Sequence, residues 1–136
     1  MISVNDVFEK LNERAPTSLK MGFDNVGLLA GKSGVQVSMV IVTLDITENV
    51  IEEARNLGAQ LIVSHHPLTF EGLKSVTDRG PTERKFLRLI ESGIAAICMH
   101  TNLDAAEGGV NDSLASALGA RVLDKLNKEE NVSRLC

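Results

Sequence analysis

Residues 35–67 read VQVSMVIVTLDITENVIEEARNLGAQLIVSHHP, and this stretch decides the fold. Val35 to Leu44 is rich in β-branched residues and reads as a strand. Thr47 to Leu57 carries acids early and Arg55 late, with Gly58 just beyond, which is the charge order and stop signal of a helix. Gln60 to Ser64 is a short apolar strand bounded by Pro67. Further on, the polar stretch from Glu71 to Pro81 forms a loop, and Thr82 to Ser92 forms a helix with Phe86, Leu87, Leu89 and Ile90 as its buried stripe. Ile94 to Met99 follows as a nearly continuous apolar strand. Strand, helix, strand, helix, strand over residues 35–99 is the pattern of right-handed crossovers onto a parallel sheet. Strands buried on both faces read as unbroken apolar runs, as these do. The expected class is therefore α/β, a mostly parallel sheet flanked by helices.

Working outward from this stretch, Ser3 caps a first helix whose Val4, Val7, Phe8 and Leu11 share one face, and Pro16 closes it. Val26 to Ala30 reads as a short strand between glycines. After Gly108 and Gly109, Val110 to Leu118 reads as a helix stopped by Gly119, with a last short strand expected at Arg121 to Leu123. Residues 1–123 are expected to form one domain, and the polar residues 124–136 a solvated tail. A length of 136 residues, with 43% hydrophobic and 24% charged, suits one ordinary domain rather than two or a disordered chain.

A net charge of −4 gives no long-range attraction for nucleic acid or an anionic membrane. With no Trp or Tyr and four Phe, the chain cannot build the aromatic platforms that track single-stranded nucleic acid. The N-terminus, MISVNDVFEK, lacks the pattern of a signal peptide, and no apolar run approaches the roughly 18 residues of a membrane span. Cys98 lies in an apolar run and Cys136 is the last residue, a usage that suits a reducing, cytoplasmic location better than a disulfide framework.

Open α/β sheets place their sites beyond the carboxyl ends of the strands. All three histidines fall there: His65 and His66 directly after QLIVS, and His100 directly after IAAICM, with Asp104 four residues later. Imidazole and carboxylate are ligands for zinc, iron and manganese, so one or two divalent ions are expected between SHHP and HTNLD. Successive strand residues point to opposite faces, which argues against a site shared by His65 and His66. That objection weakens where Pro67 turns the chain out of the sheet. A single histidine is more often a satisfied polar residue beside a core, but three at two strand mouths with an aspartate in register favour metal. Cys98 could face the same side, although a free cysteine is commonly a core residue.

Gly108 and Gly109, leading into a helix start, are a candidate anion site built from free N–H groups, weighed against a plain tight turn. Lys74 is placed to meet a phosphate from the loop after HHP, against the plainer reading of a solvated lysine. Gly27-Leu-Leu-Ala-Gly31-Lys32-Ser33 imitates a phosphate-binding loop but has three residues between its glycines instead of four, and it leads towards a strand.

The stretches FDNVGLLAG (23–31), VTLDIT (42–47), LIVSHHPLTFEGLKS (61–75) and HTNLDAAEGGVNDSLA (100–115) resemble the Nif-three-like family, whose members are often named GTP cyclohydrolase type 2 homologues. The resemblance implies a dinuclear metal site with His65, His66 and Asp104 as ligands and His100 close by, here the candidate catalytic proton shuttle. It further implies a homo-oligomer, commonly a hexameric ring, with the metals facing an internal cavity. Family members carry a second α/β half with a further His and Glu for the site, so this chain resembles the N-terminal half, whether a natural short form, a truncation or a fragment. Three functions are expected from this. The first is metal-dependent hydrolysis of a small polar, nucleotide-like substrate. The second is a non-catalytic regulatory protein whose ions stabilise an oligomer, and the third is an inert half-module that needs a separate second half.

Overall fold

A computed structural model of the chain describes residues 1–126 and 132–136. In chain order it contains β1 (Ile2–Ser3), α1 (Val4–Arg14), a 3-10 turn (Thr17–Leu19), β2 (Gly27–Ala30), β3 (Gln36–Val37), β4 (Val40–Thr43) and α2 (Glu48–Leu57). These are followed by β5 (Leu61–Ser64), α3 (Pro81–Glu91), β6 (Ala95–Cys98), α4 (Thr101–Ala105), α5 (Val110–Ala117), β7 (Asp124–Lys125) and β8 (Arg134–Leu135). The central sheet has the order β2-β6-β5-β4. β4, β5 and β6 are parallel, as expected for successive crossovers, and β2 adds on antiparallel beside β6. The class is a mixed α/β fold with a mostly parallel sheet flanked by helices. No helix among the described residues is long and apolar enough to cross a membrane.

Local chemistry accounts for the main elements. Ser3 and Asp6 form a capping box on α1: the Ser3 hydroxyl accepts from the Asp6 N–H at 3.2 Å, and the Asp6 carboxylate accepts from the Ser3 N–H at 2.8 Å. Thr47 caps α2 by accepting from the Val50 N–H at 3.2 Å. The period of two along the strands divides the core. Ile62 and Ala96 join Ile51, Ala54, Phe86 and Leu89 beneath α2 and α3. Leu61, Ala95 and Ile97 face the other way and pack with Val4, Met99 and the apolar stripe of α1.

Three expectations are corrected. The strand expected over Val35 to Leu44 is two strands, because the Gln60 side-chain carbonyl accepts from the N–H groups of Ser38 and Met39. That interruption lets β3 pair with β1 while β4 pairs with β5. The HTNLD segment is not a simple strand end; its Thr101–Ala105 forms a short helix. The strand expected at Arg121 to Leu123 lies instead at Asp124–Lys125, and it pairs with a further strand, β8, anchored by Arg134. Only 4% of the Arg134 side chain is exposed; it donates to the Asp112 carboxylate and to the carbonyls of Ala105 and Ala106. The rest of the solvated run expected after Asp124, residues 127–131, lies outside the described residues.

Gly27–Gly31, the imitation phosphate loop, is strand β2 and its end. Gly31 is required there by close approach: a Cβ would lie 2.6 Å from the Ala95 Cα, and φ is +92°.

Candidate metal centre

The parallel register sets Ser64 opposite Cys98 and Thr43 opposite Ser64, so three strands end together. Beyond that edge the chain keeps pairing briefly, with the N–H groups of His65 and His66 donating to the carbonyls of Thr43 and Leu44. The Ser64 hydroxyl donates to the His66 carbonyl at 2.8 Å and bends the segment, so the two successive histidines do not point to opposite faces. Their rings lie 5.2 Å apart, and the His100 ring lies 5.1 Å from His65 and 5.7 Å from His66. One ring nitrogen from each histidine falls within 4.8 Å of those of the other two.

Each imidazole is oriented by a hydrogen bond at Nδ1. His65 donates to the Met99 carbonyl at 3.0 Å, His66 to Asp45 Oδ1 at 2.8 Å, and His100 to Asp24 Oδ1 at 2.9 Å. A carbonyl or carboxylate can only accept, so a neutral ring carries its proton on Nδ1 and keeps its lone pair on Nε2. This is the arrangement by which outer groups fix a ligand's tautomer and raise its basicity.

Asp104 follows His100 by one turn, because the His100 carbonyl accepts from the N–H groups of Leu103 and Asp104 as α4 begins. The resulting i, i+4 spacing brings Asp104 Oδ1 to 3.6 Å from His65 Nε2. That distance is too long for a hydrogen bond and is a spacing at which one cation can bind both groups. The three converging imidazoles, with the Asp104 carboxylate beside His65, offer donor types that suit zinc, iron or manganese, and the tautomers fit them.

Asp24 is the functional residue that sequence reasoning left without a role. Its side chain has no solvent exposure. It accepts from the Asn25 N–H at 2.7 Å, from His100, and from both the N–H (3.0 Å) and the hydroxyl of Thr101. Burial alone would raise its pKa, but the hydrogen bonds from Thr101, His100 and Asn25 outweigh it and hold the carboxyl below its usual range. The signal was present as the single acid inside FDNVG. What places it is the antiparallel pairing of Gly27 with Cys98, which sets the residues before β2 beside those after β6.

The remaining expected residues are placed differently. The Gly108 N–H donates to Asp112 Oδ2 at 2.7 Å and the Gly109 N–H to the Ala106 carbonyl at 3.1 Å, so neither group is free for an anion. Gly109 has a packing reason, since a Cβ there would overlap the Leu103 carbonyl oxygen. Lys74 is exposed, and no hydrogen bond or ion pair of the described residues ties it to the histidines. Cys98 is buried, its thiol donates to the His65 carbonyl at 3.1 Å, and burial pushes its pKa up to about 12. It supports the backbone of the site and belongs to the core.

Comparison with known proteins follows the same lines. Residues 2–136 match the family described as Duf34/NIF3 (NGG1p interacting factor 3). A Clostridium perfringens protein named GTP cyclohydrolase 1 type 2 homolog is 37% identical over 139 residues, covering 98% of this chain and 53% of that protein. The crystal structure of Staphylococcus aureus hypothetical protein SA1388 superposes with a TM-score of 0.81 at 40% identity, covering 87% of this chain and 39% of that one. Reduced HcgD from Methanocaldococcus jannaschii gives 0.84 at 28% identity, covering 93% and 51%. The chain thus spans about half the length of the curated relatives it matches.

Proposed function

This chain belongs to the DUF34/NIF3 family, and from that premise we propose that it is a metal-dependent hydrolase acting on a small polar substrate. The observation that carries the reading is the convergence of His65, His66 and His100 within 4.8 Å, each with Nδ1 spent on a fixed acceptor. A divalent ion bound there supplies Lewis-acid chemistry, polarising a substrate oxygen and making water more acidic. The three imidazoles present their Nε2 lone pairs, and Asp104 adds a carboxylate beside His65. The hydrogen bond from His100 Nδ1 to Asp24 leaves the Nε2 lone pair facing the cluster, the atom that would hold an ion or serve as proton shuttle. The name shared by the relatives points to a purine nucleotide as the substrate.

Metal content per chain, measured by inductively coupled plasma mass spectrometry on untagged protein, tests the reading. About one or two ions are expected in the wild type, with loss in His66→Ala and with turnover abolished by chelation. His100→Gln separates the two roles of His100: loss of metal assigns a ligand, and metal retained with turnover lost assigns the proton shuttle. A metal-free wild-type protein refutes the proposal.

One observation favours a second reading, a non-catalytic protein whose ions stabilise association. Along the edge strand β4 and directly after it, Val40, Val42 and Leu44 are exposed, Val42 by 79%. Apolar side chains on an open edge favour pairing with another chain. This reading expects chelation to shift the sedimentation profile while no substrate turns over; a metal-insensitive profile argues against it.

A further inference from the structure

The chain has four phenylalanines and neither tryptophan nor tyrosine. Phe8 and Phe86 pack into the two halves of the core. Phe23 and Phe70 do the opposite, being 65% and 52% exposed. They stand together, with ring centroids 6.1 Å apart, and the Phe70 ring lies 5.7 Å from the His100 ring. Half of the chain's aromatic residues are therefore held in solvent at the mouth of the histidine cluster.

Their position is built rather than incidental. Phe23 is followed by Asp24, anchored on His100 and Thr101, and then by Asn25, whose side-chain amide donates to the Thr69 carbonyl at 2.9 Å, directly before Phe70. The Met21 N–H donates to the Thr101 hydroxyl at 3.0 Å, and Lys20 Nζ donates to the Asp24 carbonyl at 2.7 Å. The two loops are thus pinned to each other and to the elements that carry the histidines. A rigid apolar surface ending at a polar, metal-competent cluster matches a ligand with a flat apolar body and a polar end.

We infer that Phe23 and Phe70 form the surface that receives a planar aromatic ring, its phosphate or carbonyl oxygen directed at His65, His66 and His100. The inference rests on the hydrolase reading above and names the substrate class and the residues that select it. Two rings are too few to track a nucleic-acid strand but enough to stack one base-sized ring. Stacking on a ring face does not read base edges, so different purines are expected to bind alike.

The test compares adenosine 5′-monophosphate and guanosine 5′-monophosphate with ribose 5-phosphate by titration calorimetry, using the full chain incubated with Zn²⁺ or Mn²⁺. Metal content is measured on the same samples. Both nucleotides are expected to bind at least about tenfold more tightly than the sugar phosphate. Phe70→Leu and Phe23→Leu keep apolar bulk but remove the ring face, and each is expected to erase most of that preference while metal content and melting temperature stay at wild-type values. Ion uptake with no preference for the nucleotides, or a preference that survives both substitutions, overturns the aromatic surface and leaves the hydrolase reading standing. No ion uptake, with a phenylalanine-dependent preference retained, overturns the hydrolase reading and supports the surface.

Discussion

Asp24→Asn changes one oxygen of a fully buried side chain, and the geometry fixes what must follow. The carboxylate accepts on both oxygens: Oδ1 takes the Asn25 N–H and His100 Nδ1–H, and Oδ2 takes the N–H and hydroxyl of Thr101. An amide has one accepting oxygen and one donating nitrogen, so it cannot serve both pairs. With the nitrogen at the Oδ2 position, the Thr101 hydroxyl turns to accept, but the buried Thr101 N–H loses its partner at about 1–3 kcal/mol. With the nitrogen at the Oδ1 position, the Asn25 N–H loses its acceptor, and His100 can accept at Nδ1 only by moving its proton to Nε2, which removes the ligand lone pair. Either way the acceptor loses its charge, worth roughly another 1 kcal/mol.

The metal-free Asp24→Asn protein is therefore expected to lose about 2–4 kcal/mol of stability, read as a fall of roughly 10 °C in melting temperature. Metal affinity, measured by competition with a chromophoric chelator, is expected to weaken by about 10–100-fold. Because Asp24 acts on the ion through His100, its effect on affinity should largely vanish in a His100→Ala background. An Asp24→Asn protein that binds metal like the wild type, or whose effect persists fully without the imidazole, refutes this account of the site.

Other perturbations give separate checks. The hydrogen bond from Arg134 holds the Asp112 carboxyl below its ordinary value of 3.8, with burial opposing and the Gly108 N–H assisting. A depressed folded-state pKa means the stabilisation is complete above the unfolded value and drains as pH falls through it towards the folded one. Asp112→Asn is thus expected to destabilise at pH 7 and to converge with the wild type only as pH falls below the depressed folded-state value, read from urea midpoints. Cys98, buried and with its pKa near 12, should resist an alkylating reagent that labels exposed Cys136, so mass spectrometry should find only the latter modified until denaturant is added. Gly31→Ala must displace the Ala95 backbone and adopt a positive φ, and a loss of about 1–3 kcal/mol in denaturant midpoint analysis is expected. Asp45→Asn, on an exposed pair with His66, should weaken metal binding less than Asp24→Asn, as judged by the same chelator competition.

Much of this was legible in the sequence because it depends on local pattern. The crossovers follow from apolar runs and helix stop signals, and the histidines fall at strand mouths where α/β sheets place their sites. What escaped depends on pairing between distant segments. Nothing in Val26 to Ala30 reveals that β2 runs antiparallel beside β6, yet that choice delivers Asp24 to His100 and Phe23 to Phe70. The Gln60 amide that divides β3 from β4 and the Arg134 anchor for β8 are likewise side-chain events with no periodic signature. The glycine pair misled for a related reason: Asp112, in the first turn of α5, already accepts from the Gly108 N–H that an anion would need.

The shared ending of β4, β5 and β6 also orders events in time. His65 and His66 leave the ribosome well before His100 and Asp104, and only completed parallel crossovers, among the slower pairings to form, bring the four together. The cluster of three imidazoles therefore exists only once β5 and β6 have paired. With 44% of its side chain exposed, against 21% for His65 and 15% for His100, His66 is the imidazole that faces solvent, so the cluster is open to an ion with the sheet left intact.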